Sequence, residues 1–162
     1  MKNIIISEQI SISDNYKYFL ELVEEKKINV IVIKMGDRID IEKDIYFSFI
    51  WPNNNQQILE NTLNNNSIVC KLNYKSFSML FTGDIEKIAE SKIIEEYNSD
   101  KSNLKATVLK VAHHGSKTSS CKELIELIKP TIAVIGVGKK NKFGHPNSEV
   151  LDTMRNIRSK DI

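Results

Sequence analysis

The sequence predicts a layered α/β domain, on two observations. Short apolar, β-rich runs alternate with amphipathic helical stretches through its second half, and no repeat or Pro/Gly-rich linker interrupts the chain. The runs "SIVCKLNYKSFSMLFTGD", "ATVLKVA" and "TIAVIGVG" are separated by "IEKIAESKIIEEY" and "SCKELIELIKP". At 162 residues the chain is one domain's worth of polypeptide, read here as a single unit over 1–162.

Taken in order, "SDNYKYFLELVEEKK" carries Tyr16, Phe19, Leu20 and Val23 at helical spacing behind Asp14 as N-cap, and "INVIVIK" follows as a strand. "IYFSFIW", ending at Pro52, reads as another strand, and the Asn-rich span 53–66 as a long loop. Two further strands, 68–72 and 77–82, are joined by the turn "NYKS". After Asp84, the residues Ile85, Ile88, Ala89, Ile93 and Tyr97 form one stripe of a helix, with the charges opposite. "ATVLKVA" is a strand, and Ser120 and Glu123 have capping-box spacing for a helix that closes at Pro130. "TIAVIGVG" is the last strand, and Pro146 fits the first turn of a final helix.

Composition excludes some classes. With 41% apolar, 27% charged and 7% aromatic residues the chain reads as an ordinary soluble globular protein. No stretch approaches the roughly 20 apolar residues of a membrane span, and the first residues lack a basic region and cleavage site. Cys70 and Cys121 have no C-x-x-C spacing and read as free, buried thiols. The frequent Asn, Ile and Lys are taken as codon bias. Net charge is only +2, but residues 101–145 hold nine lysines against two acids, around all three histidines. Such a field favours an anionic partner, although a solvated lysine face reads the same way.

Three segments share one placement, after a strand and before a helix, where loops of layered α/β folds gather ligands. "TGD" delivers Asp84, whose carboxylate suits a metal ion but equally a helix N-cap. "HHGSKTSS" delivers His113 and His114, with Gly115 allowing close backbone approach, and Ser116 and its neighbouring hydroxyls available to a substrate oxyanion. "GHP" delivers His145 near a helix N-terminus, which favours the neutral ring a metal needs, although a lone loop histidine is commonly just solvated.

These segments, in this order, resemble the C-terminal part of the metallo-β-lactamase-fold domain that ends ComEC-type DNA-internalisation competence proteins. The motifs are "NNNSIVCKLNYKSFSMLFTGDIEKIAE", "LKATVLKVAHHGSKTSS", "PTIAVIGVG" and "NKFGHPNSEVLDTM", and the similarity starts near "YFLELVEEKKINVIVIKMGDRI". The resemblance implies an αββα sandwich with two divalent metals, zinc or manganese, that activate water for hydrolysis. It implies that Asp84 bridges the metals, that His145 is a terminal ligand, and that His113 and His114 act beside the scissile phosphate or leaving group. It further implies DNA or another phosphodiester as substrate and a membrane-associated bacterial parent protein.

One part of the family pattern is absent. The H-x-H-x-D-H motif appears nowhere, and His113 is the first histidine of the chain. A catalytic zinc takes three protein ligands plus water, so the donors here do not complete two sites. The expectation is a C-terminal portion of the sandwich, separated from an N-terminal half-domain that carries the missing motif. Such a chain would hold metal weakly or not at all, hydrolyse little, and self-associate through exposed apolar surface. Two other readings use the same residues: a metal-free binding or structural relic of the fold, and a fragment of a phosphocholine-type esterase.

Overall fold

The strand patterns assemble into two sheets in the computed structural model, which describes residues 2–9 and 11–158. Strand β1 (Asn3–Ser7) leads through helix α1 (Asp14–Glu25) to β2 (Asn29–Ile33), and β1 and β2 pair in parallel. This right-sized βαβ unit stands apart from a six-stranded sheet of order β3-β4-β5-β6-β7-β8. Its members are β3 (Arg38–Glu42), β4 (Ile45–Trp51), β5 (Val69–Tyr74), β6 (Phe77–Phe81), β7 (Val108–Lys110) and β8 (Ile132–Val134). The first four are antiparallel neighbours, and β7 and β8 join in parallel through helical crossovers.

Period-two alternation gives the sheet two different faces. On one, Val69, Leu80 and Leu109 meet α3 (Lys87–Glu96) and α4 (Lys122–Ile128) in the core, with Ile93, Leu124, Ile125, Ile128 and the wholly buried Trp51. The register brings Phe47, Leu72, Met79, Val108 and Ile132 side by side on the other face, together with Phe49, Cys70, Phe81 and Val134. This second face is mostly apolar, with Lys110 between Phe81 and Val134, and Tyr74, Phe77, Ile132 and Val134 on it remain exposed.

Several local expectations are revised. Strands β1 and β3 were not anticipated, although "RIDIE" alternates and Asp44, in the left-handed region at φ 65, forms the turn into β4. Ser13, one residue before Asp14, caps α1 by accepting from the Tyr16 amide. The Asn-rich span is not featureless. It contains the short helix α2 (Thr62–Asn65); the buried Trp51 indole donates to the Asn65 carbonyl, and Asn66 bonds the Ile58 N–H and C=O through its side chain. Ser120 does not cap α4, whose N-cap is Cys121 without a side-chain bond. Pro146 lies before α5 (Ser148–Arg158), and Asn147 caps that helix by accepting from the Glu149 amide.

What the structure supports at fold level is a mixed α/β domain with one six-stranded sheet. Among the described residues no helix is long and apolar enough to cross a membrane. An apolar sheet face of this extent is expected to drive self-association. Light scattering should give a weight-average mass above that of one chain and rising with concentration. A concentration-independent monomer would contradict it.

Candidate functional site

The loops that carry the four expected metal or catalytic side chains meet at one edge of the large sheet, where β6, β7 and β8 run parallel and end side by side, and they pair Asp84 with His114 and His113 with His145. The "TGD" turn follows β6. Gly83 has φ 55, and a Cβ there would meet the Ser67 Cβ at 2.7 Å, so only glycine fits this close approach. Asp84 leaves the turn with its side chain 43% exposed. After β7, the His113 amide donates to the Gly83 carbonyl (3.0 Å), tying the histidine loop to the aspartate turn.

Both histidines occupy the left-handed region, at φ 45 and φ 56. Such conformations cost about 1–3 kcal/mol each in non-glycine residues and persist only where surroundings hold them. Here they turn the two rings toward different partners. His114 Nδ1 lies 2.6 Å from the Gly136 carbonyl, which only accepts, so that nitrogen carries the proton. The lone pair of the neutral ring is then at Nε2, 3.8 Å from Asp84 Oδ1. His113 turns inward, its Nδ1 3.6 Å from Glu86 Oε1, and its ring meets His145 edge-on with centroids 5.9 Å apart. Phe143 stacks on His145 with ring centroids 5.8 Å apart.

Two further contacts fasten the loop. Gly115, at φ 78, sits where a Cβ would fall 2.8 Å from the Pro146 Cβ, and its carbonyl accepts the Asn147 amide (2.8 Å). This seat brings "GHP" to "HHG". On the side of α3, Lys87 N–H donates to the Thr118 carbonyl and Ser119 Oγ to the Ile85 carbonyl, while the Glu90 carboxylate accepts from the amides of Ser120 (2.5 Å) and Cys121 (2.7 Å).

The hydroxyls of "SKTSS" accordingly face inward. Ser116 is buried and shares its oxygen with Thr118 (2.9 Å), and Thr118 donates to Glu86. Ser116, expected on the substrate side, braces the loop from within. The residues missed from sequence are Glu86 and Glu90. Both had been assigned to the charged face of α3, but Glu90 is completely buried and Glu86 nearly so. The available signal was spacing: 86, 90, 93 and 97 make an i, i+4, i+7, i+11 row that includes two residues of the apolar stripe.

As donors for a metal, Asp84 and His114 suit a divalent ion in kind. A carbonyl-fixed Nδ1–H with Nε2 turned toward a carboxylate is the arrangement that orients an imidazole ligand. They are too few for a pair of ions, and among the described residues no three His, Cys, Asp or Glu side chains gather as a metal-holding group. The thiols offer no substitute, since burial pushes Cys70 up to about 11 and Cys121 up to about 12, away from thiolate chemistry. Lys87 and Lys117 line an open hollow of about 430 Å³ beside Glu86 and Thr118, so cations stand near the site.

No family model matches the chain. It is 31% identical over 155 residues, 96% of its length, to ComE operon protein 3 of Bacillus subtilis (strain 168), covering 19% of that protein. The chain is a homologue of one segment of that protein. It is also 30% identical over 109 residues to competence protein ComA of Neisseria gonorrhoeae, covering 67% of the chain and 15% of ComA. Against recombination protein 2 of Haemophilus influenzae the figures are 29% over 115 residues, 71% of the chain and 14% of the relative. The chain thus spans about a fifth or less of the length of the curated relatives it matches.

Glu90 supplies a test of how the loop is held. Burial raises its carboxyl above the ordinary range, against the opposing pull of the Cys121 and Ser120 amides. The folded state therefore keeps the proton to higher pH than the unfolded chain. Its contribution is full below the unfolded value, about 4.3, and is lost as pH rises through the raised folded one. In urea unfolding, Glu90→Gln should gain on the wild type as pH increases across that window; a constant difference would contradict the assignment. Glu90→Ala, which strips two buried amides of their acceptor, should cost about 1–3 kcal/mol.

Proposed function

We propose that this chain is the C-terminal portion of a metal-dependent phosphodiester hydrolase within a ComEC-type, membrane-associated protein that takes up DNA. The observation that carries the reading is the meeting of Asp84, His114, His113 and His145 at one sheet edge, in a chain homologous along its length to ComE operon protein 3. In this reading the complete domain is a metallo-β-lactamase-like sandwich, and an N-terminal half-domain brings the remaining ligands.

A pair of bound zinc or manganese ions would supply an activated water and neutralise charge on the phosphate. The chain's own residues have distinct parts. Asp84 and His145 are ligands, as the resemblance implies. His114, with its proton fixed on Nδ1, offers Nε2 on the Asp84 side, so its place is at the metal edge of the pocket. His113 stands deeper, beside His145, where the ring nitrogen turned away from Glu86 faces the attacking water or the leaving group. The lysines around the loop raise the local concentration of an anionic strand. Ser116 acts on substrate only through the loop that it braces.

The purified chain should bind zinc or manganese weakly and show little or no turnover of single-stranded DNA or a chromogenic phosphodiester. A polypeptide that includes the preceding half-domain should turn over in a metal-dependent way, and Asp84→Ala and His145→Ala should each lower its rate by about 100-fold or more. Metal analysis with the same assay checks both statements. Metal content and activity unmoved by the two substitutions would point instead to a metal-free binding module, and preference for a phosphocholine ester over DNA would shift the substrate.

A further inference from the structure

Glu86 has no assigned part in any of this, yet its surroundings are the most specific in the site. It follows the Gly83–Asp84 turn by two residues and forms the N-cap position of α3 with extended backbone. Its side chain is only 12% exposed. Oε2 accepts from Asn61 Nδ2 (2.8 Å), Oε1 accepts from Thr118 Oγ1 (2.9 Å), and its backbone amide donates to Asn65 Oδ1 (3.0 Å). A carboxylate held at both oxygens, on a backbone itself tied to Asn65, by segments up to 32 residues away in sequence, has little freedom to reorient.

The atom facing it is His113 Nδ1, which is buried and has no hydrogen-bond partner. An unpaired buried ring nitrogen costs about 1–3 kcal/mol, and His113 carries the further strain of φ 45 and ψ 44. Glu86 Oε1 lies 3.6 Å from that nitrogen, a few tenths of an ångström beyond hydrogen-bond length. Catalytic hydrogen bonds are often long in this way without substrate. A carboxylate oxygen has acceptor capacity beyond the one bond from Thr118.

We infer that Glu86 is the positioning residue of His113: it accepts Nδ1–H, fixes the ring's tautomer and orientation, and leaves Nε2 as the free nitrogen for substrate. Glu86 touches no reacting atom; it acts through the histidine, as a carboxylate orienting an imidazole. The hydrogen-bonded series Ser116, Thr118 and Glu86, set against His113, then gives the hydroxyls after "HHG" a structural part. Asn61, from the Asn-rich span, is the second brace on the carboxylate. The catalytic meaning rests on the hydrolase reading, whereas the tautomer does not.

The test is long-range ¹H–¹⁵N NMR of the histidine rings in the full chain at mildly alkaline pH, with His113→Gln for assignment. In the wild type His113 should be the Nδ1–H tautomer. Glu86→Gln, keeping size but replacing the carboxylate, should lose that signal or mix it with the Nε2–H form. His114, held by the Gly136 carbonyl, should be unchanged and serves as the internal reference. A residue that merely clamped Asn61 and Thr118 would leave the His113 signal where it was, and that result overturns the inference. Should Glu86→Gln not fold, the wild-type spectrum decides alone: Nδ1–H supports the assignment and Nε2–H overturns it. Lack of turnover in the longer polypeptide, with the Nδ1–H tautomer intact, would count against the hydrolase reading and not against this one.

Discussion

The arrangement depends on how closely Gly115 approaches Pro146. With φ 78, and only hydrogen where a Cβ would sit 2.8 Å from the proline Cβ, Gly115 lets the loop after β7 lie directly on the loop before α5. The Asn147 amide then reaches the Gly115 carbonyl at 2.8 Å, and the same asparagine caps α5. One contact therefore fixes the start of the last helix, the position of His145, and the turn that holds His113 and His114. Any larger residue at 115 would push the two histidine loops apart.

The rest of the loop is secured from the α3 side by groups that a sequence would assign to solvent. Two carboxylates, Glu86 and Glu90, reach into it, one braced by Asn61 and Thr118 and the other taking two backbone amides at the start of α4. The strained φ values at 113 and 114 are sustained because both sides of the loop are tied down. Rigidity at this point has a chemical consequence, since it sends two adjacent rings to different tasks. His114 goes to Asp84 with its proton fixed by a carbonyl, and His113 goes inward to Glu86 and His145.

Much of this was legible in the sequence where the pattern was local. Apolar runs with turn residues located β4 to β8, the stripe of Ile85, Ala89 and Ile93 located α3, and placement after strands located Asp84, His113, His114 and His145. The misses share one physical cause: each depends on partners far away in the chain. Glu90 reads as surface until the amides of 120 and 121 are seen against it, 30 and 31 residues on. Asn65 and Asn66 look like low-complexity filler until Trp51 and Ile58 are placed beside them. Ser120 had the spacing of a capping box, but its φ of 62 and the carboxylate of Glu90 serve the helix start in another way. Ile88, counted with the apolar stripe, is 40% exposed because the helix turns its Glu90 side to the core instead.

The apolar second face of the sheet and the incomplete donor set belong together. A sheet with apolar side chains on both faces is stabilised by cover on both, and in the proposed reading Asp84, His114 and His145 are too few donors for two ions. The relatives that the chain matches are several times its length. Paramagnetic broadening of the chain's NMR spectrum by Mn²⁺ alone tests the central claim, that three loops form one cation-accepting edge, most directly. The account predicts that substoichiometric Mn²⁺ broadens the signals of Asp84, His114 and His145 together, ahead of the exposed acids elsewhere. Broadening that spreads evenly over the surface carboxylates, with the three histidines spared, would contradict it.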